Sequence, residues 1–565
     1  MPLRTLYSLI LLSLLVACTS QKDQTDTTAP GPTYNQAAVV SAHPLASEAG
    51  KEIMQKGGNA WDAAVAVKFA LAVVYPRAGN LGGGGFAVYR AADGSIGALD
   101  FREKAPVAAS RDMYLDENKA VIDGLSLQGP LAAGVPGSVA GMVALHERYG
   151  SLTWQEVLAP ALRLAQEGWT LSTEQAAKIN AYQSLFLTNN PDTIFWAEKT
   201  WQAGDHVIVP HMATTIQRIQ QEGFDGFYKG ETARLIVEAM DSSGIITLED
   251  LAGYEAIWRK PITSDYRGHK IITMPPPSSG GIALVQLLEG SEPLPIADWG
   301  LYDSRTIHYM TELERRVYAD RASYLGDEDF YAVPREQLLD SSYLADRFAG
   351  IVPGKATASA EIREGEATVI ESYETTHFSI VDAQGNAVSI TTTLNGNYGC
   401  KTYVTGAGFF LNNEMDDFSI KPGEPNQFGL IGAEANAIQP QKRMLSSMTP
   451  TIVERDGDLY LVLGSNGGST IITQVYQAIL NVVDHNMSLQ HAINAPRLHH
   501  QWQPDHIIIE KDSLSASARK ELEAMGHQLK AAGQFGKLNS IRRLPDGRLE
   551  AVADTLRGDD RAAGF

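Results

Sequence analysis

The last third of the chain begins with a pattern of apolar and polar positions that predicts a β-hairpin. Apolar and polar residues alternate over 377–381, and a second β-rich run covers 387–394. Asp, Gly and Asn in the gap at 382–386 are typical of a hairpin turn. Antiparallel pairing brings Thr375, which precedes the first strand, close to the threonines at 391–393. Threonine is a common strand residue, so this cluster also has a purely structural interpretation.

The N-terminal region predicts a strand, two helices and a second hairpin. The helix at 60–74 is apolar on every side and follows Asn59, a good N-cap residue. A helix of this kind is expected to lie between layers rather than on the surface. The predicted elements are a strand at 37–41, helices at 45–56 and 60–74, and strands at 86–90 and 96–101.

Helical periodicity dominates residues 136–350, and a mixed pattern follows the central hairpin. Predicted helices cover about 136–149, 154–167, 174–185, 211–222, 230–241 and 304–324, the last with an apolar face and exposed charges. Residues 351–373 are polar, lack periodicity and predict an exposed loop. Further along, the pattern predicts strands near 445–453 and 459–463, helices at 470–483 and 515–525, and a hairpin around 545–547 that adds edge strands.

Two glycine-rich motifs mark candidate sites. G-N-L-G-G-G-G-F at 79–86 precedes a strand and lacks Gly-Lys-Ser/Thr, which argues against phosphate-loop and dinucleotide-binding sites. Its glycines favour close backbone packing beside a site. G-S-N-G-G-S at 464–469 lies between a strand and a helix. There the N–H groups of Gly467 and Gly468 predict an anion or oxyanion site, with a tight left-handed turn as the alternative.

Four single residues carry possible chemistry outside these motifs. Arg102 ends a predicted strand, where its planar guanidinium suits a carboxylate, although a surface charge fits the same position. Ser278 and Ser279 lack a nearby His and the G-x-S-x-G frame of a nucleophile elbow, so they are interpreted as structural. Cys400 has no Cys–His signature around it and is interpreted as a partly buried free thiol.

A histidine-rich segment raises the question of metal binding. His499 and His500 are adjacent, and His506 follows. Adjacent residues of an extended chain point to opposite faces, and no Cys or spaced acidic residue completes a ligand set. The sequence therefore predicts no metal site and no other cofactor.

Composition narrows the class of protein. The 565 residues include 46 Lys and Arg against 66 Asp and Glu, a formal net charge of −20. No basic cluster stands out, so no nucleic-acid partner is predicted. The length allows two domains or one large α/β body.

The first residues have the pattern of an export signal. Arg4 precedes an apolar run, too short for a membrane-spanning helix, within a predicted signal peptide at 1–17. The run ends L-V-A-C, which resembles a bacterial lipobox and predicts that Cys18 is lipid-modified. Thr19 in place of Asp favours the outer membrane. Residues 18–35 are polar and predict a lipidated tether that anchors the protein to the membrane from the periplasm.

A set of motifs, in one order from about residue 36 to the C-terminus, resembles the γ-glutamyltranspeptidase (glutathione hydrolase) family. The motifs are L-D-F-R-E-K-A-P, T-T-H-F-S-I-V-D, T-T-T-L-N, L-N-N-E-M-D-D-F-S, K-P-G, L-S-S-M-T-P-T-I-V, G-S-N-G-G-S and N-A-P-R-L-H-H-Q-W. The resemblance implies an α/β protein with a four-layer αββα sandwich of the N-terminal nucleophile hydrolase type.

The resemblance also implies a precursor that cuts itself between Glu374 and Thr375. Thr375 then becomes the nucleophile, and its new α-amine, with an unperturbed pKa of about 7.7–8.0, suits a general base. Thr393 would hold the Thr375 hydroxyl, and the N–H groups of Gly467 and Gly468 would stabilise the oxyanion. His377 is the alternative base, although the family pattern gives it a structural place.

The implied substrate site recognises a zwitterionic head. Ligands of the α-carboxylate would be Arg102, Ser446 and Ser447, and ligands of the α-ammonium would be Asn395, Glu414 and Asp417. Residues 421–432 would form a lid over the pocket. Phe428 stands where many bacterial members have Tyr, so a phenolic hydrogen bond that closes the lid is absent.

The implied activity is transfer of the γ-glutamyl group of glutathione and related compounds to water, amino acids or dipeptides. A large fragment, with residues 36–374 as its folded part, and a small catalytic fragment, 375–565, would form a heterodimer. Asp417 and Arg102 favour γ-glutamyl over glutaryl-cephalosporin substrates, whose acyl group lacks an α-amine. The alternatives are such an acylase, or an unprocessed lipoprotein that binds glutathione.

Overall fold

Two β-sheets stack face to face at the centre of the protein. The computed structural model describes residues 29–362 and 375–565. The strands are β1 Thr33–Tyr34, β2 Ala38–Ser41, β3 Gly84–Arg90, β4 Ile96–Phe101, β5 Trp169–Thr170, β6 His206–Val207, β7 Ile257–Arg259, β8 Ile262–Tyr266, β9 His269–Thr273, β10 Thr376–Val381, β11 Ala387–Thr393, β12 Tyr403–Val404, β13 Phe409–Phe410, β14 Thr451–Arg455, β15 Asp458–Leu463, β16 Ser465–Asn466, β17 Leu498–His499, β18 Ile507–Glu510, β19 Leu529–Ala532, β20 Lys537–Arg543, β21 Leu549–Ala553 and β22 Arg561–Gly564.

Helices cover both outer faces of this pair of sheets. They are α1 Pro44–Gln55, α2 Ala60–Val74, α3 Ser138–Tyr149, α4 Trp154–Glu167, α5 Thr173–Thr188, α6 Pro210–Glu222, α7 Asp225–Tyr228, α8 Gly230–Glu238, α9 Leu248–Ala252, α10 Gly280–Ser291, α11 Ile296–Trp299, α12 Ser304–Tyr324, α13 Arg335–Leu338, α14 Ser341–Phe348, α15 Ile471–Val483, α16 Leu489–Asn494 and α17 Ala516–Met525. No helix of the described residues is both long and apolar enough to cross a membrane.

The predicted four-layer sandwich is confirmed. One sheet has the order β22-β2-β10-β11-β3-β4-β7, and the other β1-β21-β20-β15-β14-β9-β8, with β16 beside β20. One face of the first sheet packs on α1 to α4, and its other face packs on the second sheet. The far face of the second sheet packs on α10, α12, α15 and α16. Alternation along each strand supplies apolar side chains to both of its faces.

The central hairpin is confirmed almost to the residue. β10 and β11 pair antiparallel, with Thr376 opposite Thr392 and Val381 opposite Ala387. The predicted apolar helix also has the predicted bounds, Ala60–Val74, and all its residues are buried. Its start is set by a capping box, in which the Asn59 side chain accepts from the N–H groups of Trp61 and Asp62.

One prediction about secondary structure is incomplete and one is wrong. The region 136–350 is mainly helical, as predicted, but it also contributes β7, β8 and β9, and β9 pairs with β14 in the second sheet. The hairpin around 545–547 was predicted to add edge strands, but β20 lies between β15 and β21, and β21 lies between β20 and β1. The pairings of β9 with β14 and of β20 with β15 join segments distant in sequence, and such pairing decides where a short strand lies.

The charges of α12 were predicted to be exposed, and this is also wrong. Most of the helix is buried, and several of its charged residues pair inside the protein. Arg316 contacts Glu312 one turn earlier at 2.7 Å, and Arg347 contacts Asp320 at 3.0 Å. Burial of these charges is tolerated because each has a partner of opposite sign.

Candidate active site

Thr375 and Thr393 lie side by side at one end of the central hairpin. The pairing of Thr376 with Thr392 places Thr375 beside the last residue of β11. Both threonines are buried and line one small pocket. The predicted proximity of Thr375 to the threonine cluster is therefore confirmed.

A buried polar network holds the backbone of Thr393. Asn80 Nδ2 donates to the Thr393 carbonyl at 2.9 Å, and Lys68 Nζ lies 3.2 Å from Asn80 Oδ1. The glycine run beside Asn80 lets β3 approach β11, because a Cβ on Gly83 would lie 2.1 Å from the Thr393 carbonyl oxygen. The prediction that these glycines permit close packing beside a site is confirmed.

The turn that contains Gly467 and Gly468 presents two adjacent backbone N–H groups. The residues have φ of 129° and 54°, values that favour glycine. Neither N–H donates to a described residue, whereas the Gly467 carbonyl accepts from Thr470. Gly468 lines the pocket together with Thr375. The sequence left a tight turn and an anion site as alternatives at these glycines. The same turn can serve as both, because its N–H groups have no acceptor among the described residues.

Arg102 is fully buried, so its interpretation as a surface charge is wrong. Its Nη1 lies 2.6 Å from Glu414 Oε2, and its Nη2 lies 2.6 Å from Asp417 Oδ2. Glu103 is a third carboxylate, 3.4 Å from Nη1. Burial raises the pKa of Glu103 to about 7 and also raises those of Glu414 and Asp417, against the opposing effect of Arg102. This part of the pocket suits a cationic group.

Ser446 and Ser447 lie on the same pocket beside an arginine that sequence reasoning missed. Arg321, on α12, lines the pocket and is buried. Its Nη2 donates to Ser447 Oγ at 3.1 Å, and its Nε donates to Ser279 Oγ at 3.0 Å. Ser279 in turn donates to the Ser446 carbonyl at 2.6 Å, so its structural interpretation agrees with the fold.

The loop at 421–432 covers this pocket. Phe428 and Leu430 line it, and the loop is tied down at both sides of Phe428. Asn426 Nδ2 donates to Asp417 Oδ1 at 3.1 Å, and Gln501 Nε2 donates to the Phe428 carbonyl at 3.1 Å. The loop is therefore held by amide groups and by packing of the Phe428 ring.

Asn395 completes the set of predicted pocket residues. It has φ of 71° and lines the pocket, and its side chain donates to the Asn413 carbonyl at 3.0 Å. Its backbone N–H donates to Thr393 Oγ1 at 2.7 Å. One pocket thus collects a hydroxyl nucleophile candidate, Gly468 and groups of both charges, whereas Gly467, predicted with Gly468, does not line it. The pocket-lining residues that were predicted are Arg102, Thr375, Thr393, Asn395, Glu414, Asp417, Phe428, Ser446, Ser447 and Gly468.

Comparison with known proteins decides the family. The family model described as Gamma-glutamyltranspeptidase matches residues 46–565. The chain belongs to this family. A curated relative from Escherichia coli K12, named glutathione hydrolase proenzyme, is 44% identical over 534 residues, 94% of this chain and 92% of that protein. Enzymes of this kind are what the sequence resemblance implied, and the chain is an enzyme of the family.

Two further similar proteins carry acylase names. A Pseudomonas sp. (strain V22) protein named Acylase ACY 1 proenzyme is 34% identical over 537 residues, 92% of this chain and 92% of that protein. The crystal structure of a cephalosporin acylase from Bacillus halodurans has a TM-score of 0.83 at 24% identity, covering 97% of this chain and 99% of that chain. The second comparison concerns fold alone.

Other residues with possible chemistry lie away from the family pocket. The His377 ring contacts Thr391 Oγ1 at 2.9 Å and Ser379 Oγ at 3.1 Å, and burial lowers its pKa to about 3. Cys400 is fully buried rather than partly, and burial raises its pKa. These environments are those of structural residues.

The predicted histidine pair has hydrogen-bond partners. His499 contacts Thr473 Oγ1 at 2.8 Å, and His500 contacts Asp505 at 3.3 Å. Within the described residues, one other cluster could hold a metal by composition: His308, Glu312 and His527. Both oxygens of Glu312 are occupied there, one by the N–H of Thr357 and one by Arg316. That occupancy disfavours a cation.

Two predicted sites lie outside the described residues. They are the lipidation site Cys18 and the cleavage junction at Glu374. The signal peptide at 1–17 also lies outside them.

Proposed function

We propose that this enzyme is a self-processing γ-glutamyl transferase and hydrolase that uses Thr375 as its nucleophile. The observation that carries the proposal is that one pocket is lined by Thr375, by Gly468, and by Arg102 with its partners Glu414 and Asp417. Glutathione and other γ-glutamyl compounds are the proposed donors. Water, amino acids and dipeptides are the proposed acceptors.

Processing would generate the nucleophile. Thr375 Oγ attacks the Glu374 carbonyl, the acyl group moves from nitrogen to oxygen, and water hydrolyses the ester. Thr375 then carries a free α-amine, and the fragment before it ends in a new carboxylate. The word proenzyme in the names of both curated relatives supports such a step.

Catalysis would pass through an ester on the same hydroxyl. Thr375 Oγ attacks the γ-carbonyl carbon as the α-amine accepts its proton. The N–H groups of Gly467 and Gly468 stabilise the oxyanion, which collapses as the leaving amine takes the proton. Water or an acceptor amine then attacks the ester, and glutamate or a new γ-glutamyl amide leaves. Thr393 holds the Thr375 hydroxyl in line.

The electrostatics of the pocket favour a substrate with an α-ammonium. Glu414, Asp417 and Glu103 surround one guanidinium, and an incoming cation relieves their mutual repulsion. A glutaryl group has no ammonium, so it would leave the repulsion among these carboxylates unrelieved. The acylase alternative is supported by the name of a relative that is 34% identical to this chain.

The test compares two chromogenic anilides on the purified protein. We expect γ-glutamyl anilide to be hydrolysed with a higher kcat/KM than glutaryl anilide, and a denaturing gel to show two fragments. Thr375→Ala is expected to leave one full-length band and no activity. Preference for the glutaryl compound would favour the acylase. A single wild-type band that is inert would favour a glutathione-binding protein, and normal cleavage of Thr375→Ala would exclude this mechanism.

The cellular location is proposed from the N-terminal sequence. The L-V-A-C motif supports lipidation of Cys18 and a periplasmic protein anchored to the outer membrane, with 36–374 and 375–565 as its two folded fragments.

A further inference from the structure

Thr470 holds the carbonyl of Gly467 with two hydrogen bonds. The carbonyl accepts from the Thr470 N–H at 3.1 Å and from the Thr470 hydroxyl at 2.8 Å. The peptide between Gly467 and Gly468 is trans, and in a trans peptide the C=O and the N–H point in opposite directions. Because the Gly467 carbonyl is anchored to Thr470 on one side, the Gly468 N–H is aimed to the other side.

Gln474, in the first turn of α15, sets the direction of the Thr470 hydroxyl. Its Nε2 donates to Thr470 Oγ1 at 2.6 Å and to the Asn466 carbonyl at 3.1 Å. An amide nitrogen only donates, so the Thr470 oxygen accepts from Gln474 and its own proton is left for the Gly467 carbonyl. Gln474 is fully buried and only 1% of Thr470 is exposed, so water does not compete for these bonds.

The other end of the Gln474 amide determines which of its atoms faces the turn. Arg497 Nη1 donates to Gln474 Oε1 at 3.0 Å, and Ser465 Oγ lies 2.7 Å from the same oxygen. A guanidinium cannot accept a hydrogen bond, so a flipped amide would place two donors against each other. Hydrogen bonds in such a series polarise one another. Arg497, Gln474 and Thr470 therefore form one relay that ends on the Gly467 carbonyl.

Glycines provide the space that this relay needs behind the turn. A Cβ on Gly536 would lie 1.8 Å from Gln474 Oε1, and a Cβ on Gly467 would lie 2.5 Å from Thr470 Oγ1. Gly468 lines the pocket with Thr375, whereas Gln474 and Thr470 do not line it. The relay thus contacts the turn and not the space where a substrate would bind.

We propose that Gln474 and Thr470 are positioning residues that aim the Gly468 N–H at the oxyanion formed on Thr375. The inference rests on the proposed function, in which Thr375 is the nucleophile and the glycine turn stabilises the oxyanion. A donor that is already aimed needs no reorganisation when the charge develops, and this is the main source of oxyanion stabilisation. Gln474 and Thr470 supply that orientation through hydrogen bonds to the backbone of the turn.

The experiment compares the Thr470→Val, Thr470→Ser and Gln474→Leu variants, with kcat for γ-glutamyl anilide counted per mole of small fragment. Thr470→Val removes the hydroxyl, and we expect kcat to fall about 10-fold, less than the roughly 10²–10³ typical of a lost donor because the N–H remains. Thr470→Ser keeps the hydroxyl and is expected to retain most of the wild-type kcat. Gln474→Leu removes both bonds to the turn and is expected to lower kcat about 10- to 100-fold.

Two ligands separate the orientation of the N–H from general loosening of the pocket. A glutamate analogue with a boronic acid in place of the γ-carboxyl forms a tetrahedral adduct with the Thr375 hydroxyl and places an oxygen where the oxyanion develops. L-Glutamate binds without such an oxygen. In Thr470→Val we expect the Kd of the boronic acid to rise by about the factor by which kcat/KM falls, because both report transition-state binding. The inhibition constant of glutamate is expected to stay unchanged.

Gln477→Leu is the matched control. Gln477 is a buried glutamine three residues further along α15, and its Nε2 donates to the Thr473 carbonyl at 2.9 Å and to the Leu498 carbonyl at 2.6 Å. It therefore stabilises the helix and its neighbour rather than the glycine turn. We expect Gln477→Leu to lower the thermal midpoint as Gln474→Leu does, with kcat unchanged.

Four results would overturn the inference. They are an unchanged kcat in Thr470→Val, a loss in Thr470→Ser equal to that in Thr470→Val, glutamate binding weakened as much as boronic acid binding, and a loss of kcat in Gln477→Leu equal to that in Gln474→Leu. A Thr470→Val protein that folds but is not cleaved would assign the relay to processing and would also overturn it. Should Gln474→Leu not fold, the two Thr470 variants supply the test.

The outcome is separable from that of the proposed function. A wild-type protein that is inert on γ-glutamyl anilide defeats the proposed activity, whatever the variants show. A wild-type protein that turns the anilide over, with Thr470→Val equally active, defeats only the relay.

Discussion

Gly468→Ala tests the oxyanion role of the glycine turn. Gly468 has φ of 54°, a conformation that costs an L-residue roughly 1–2 kcal/mol. A Cβ at this position would lie 2.6 Å from Phe428 Cδ1 and 2.8 Å from Cε1. Ordinary carbon contacts are about 3.5–4.0 Å, so the turn or the ring must move by about 1 Å.

The shift is expected to lower kcat about 100-fold. Removal of one oxyanion donor typically costs roughly 10²–10³ in rate, or about 3–4 kcal/mol of transition-state stabilisation. A displacement of about 1 Å moves the Gly468 N–H out of hydrogen-bond range of the oxyanion. Hydrolysis of γ-glutamyl anilide at saturating substrate measures kcat, and a denaturing gel confirms that both fragments have formed.

Gly457→Ala is the matched control. Gly457 has φ of 84° in the turn between β14 and β15, and a Cβ there would meet no atom within 4 Å. The control carries backbone strain of the same kind, and we expect a similar loss of stability with kcat unchanged. The reasoning fails if processed Gly468→Ala keeps kcat within about threefold of wild type, or if the control loses as much.

Three other predictions concern residues outside the pocket. The His377→Ala variant is expected to be cleaved into two fragments as wild type is, because the His377 ring contacts Thr391 and does not line the pocket. A single uncleaved band on a denaturing gel would make His377 a candidate base again. Burial lowers the pKa of His499 from 6.5 to about 4, so its contribution to stability is complete above pH 6.5 and is lost as pH falls, by about 3 kcal/mol at pH 4. Thermal midpoints at pH 7 and pH 5 should differ less in His499→Gln than in wild type, and an equal difference would contradict this. Cys18→Ser is expected to move the protein from the membrane fraction to the soluble periplasmic fraction, and continued membrane association would refute lipidation.

Short-range patterns predicted a large part of the fold. The bounds of α2 and α12 and the turn of the central hairpin follow from spacing, capping and turn residues within a few positions of one another. The strands at 257–273 were missed. β8 pairs with the adjacent β9, whereas β7 pairs with β4 and β9 also pairs with β14, and both of those partners are far away in sequence. Periodicity within a window carries no information about such a partner.

The features of the pocket also divide into those that local sequence reveals and those that only the fold brings together. The motifs around Thr375, Gly467 and Asp417 are recognisable in the sequence because the order and spacing of their residues are local properties. The pairing of Arg102 with Asp417 is not local, since it joins positions 315 residues apart.

The position of Arg321 in the pocket was likewise decided only by tertiary structure. In α12 it is one of many charged residues, and nothing in the local sequence separates it from neighbours that pair with carboxylates. Packing of the helix brings it to Ser447, 126 residues later, and leaves it without a carboxylate partner among the described residues. Local sequence determines helices, turns and motif spacing, because these depend on neighbouring residues. The charge balance of a buried pocket depends on which distant side chains meet there, and only the folded chain sets it.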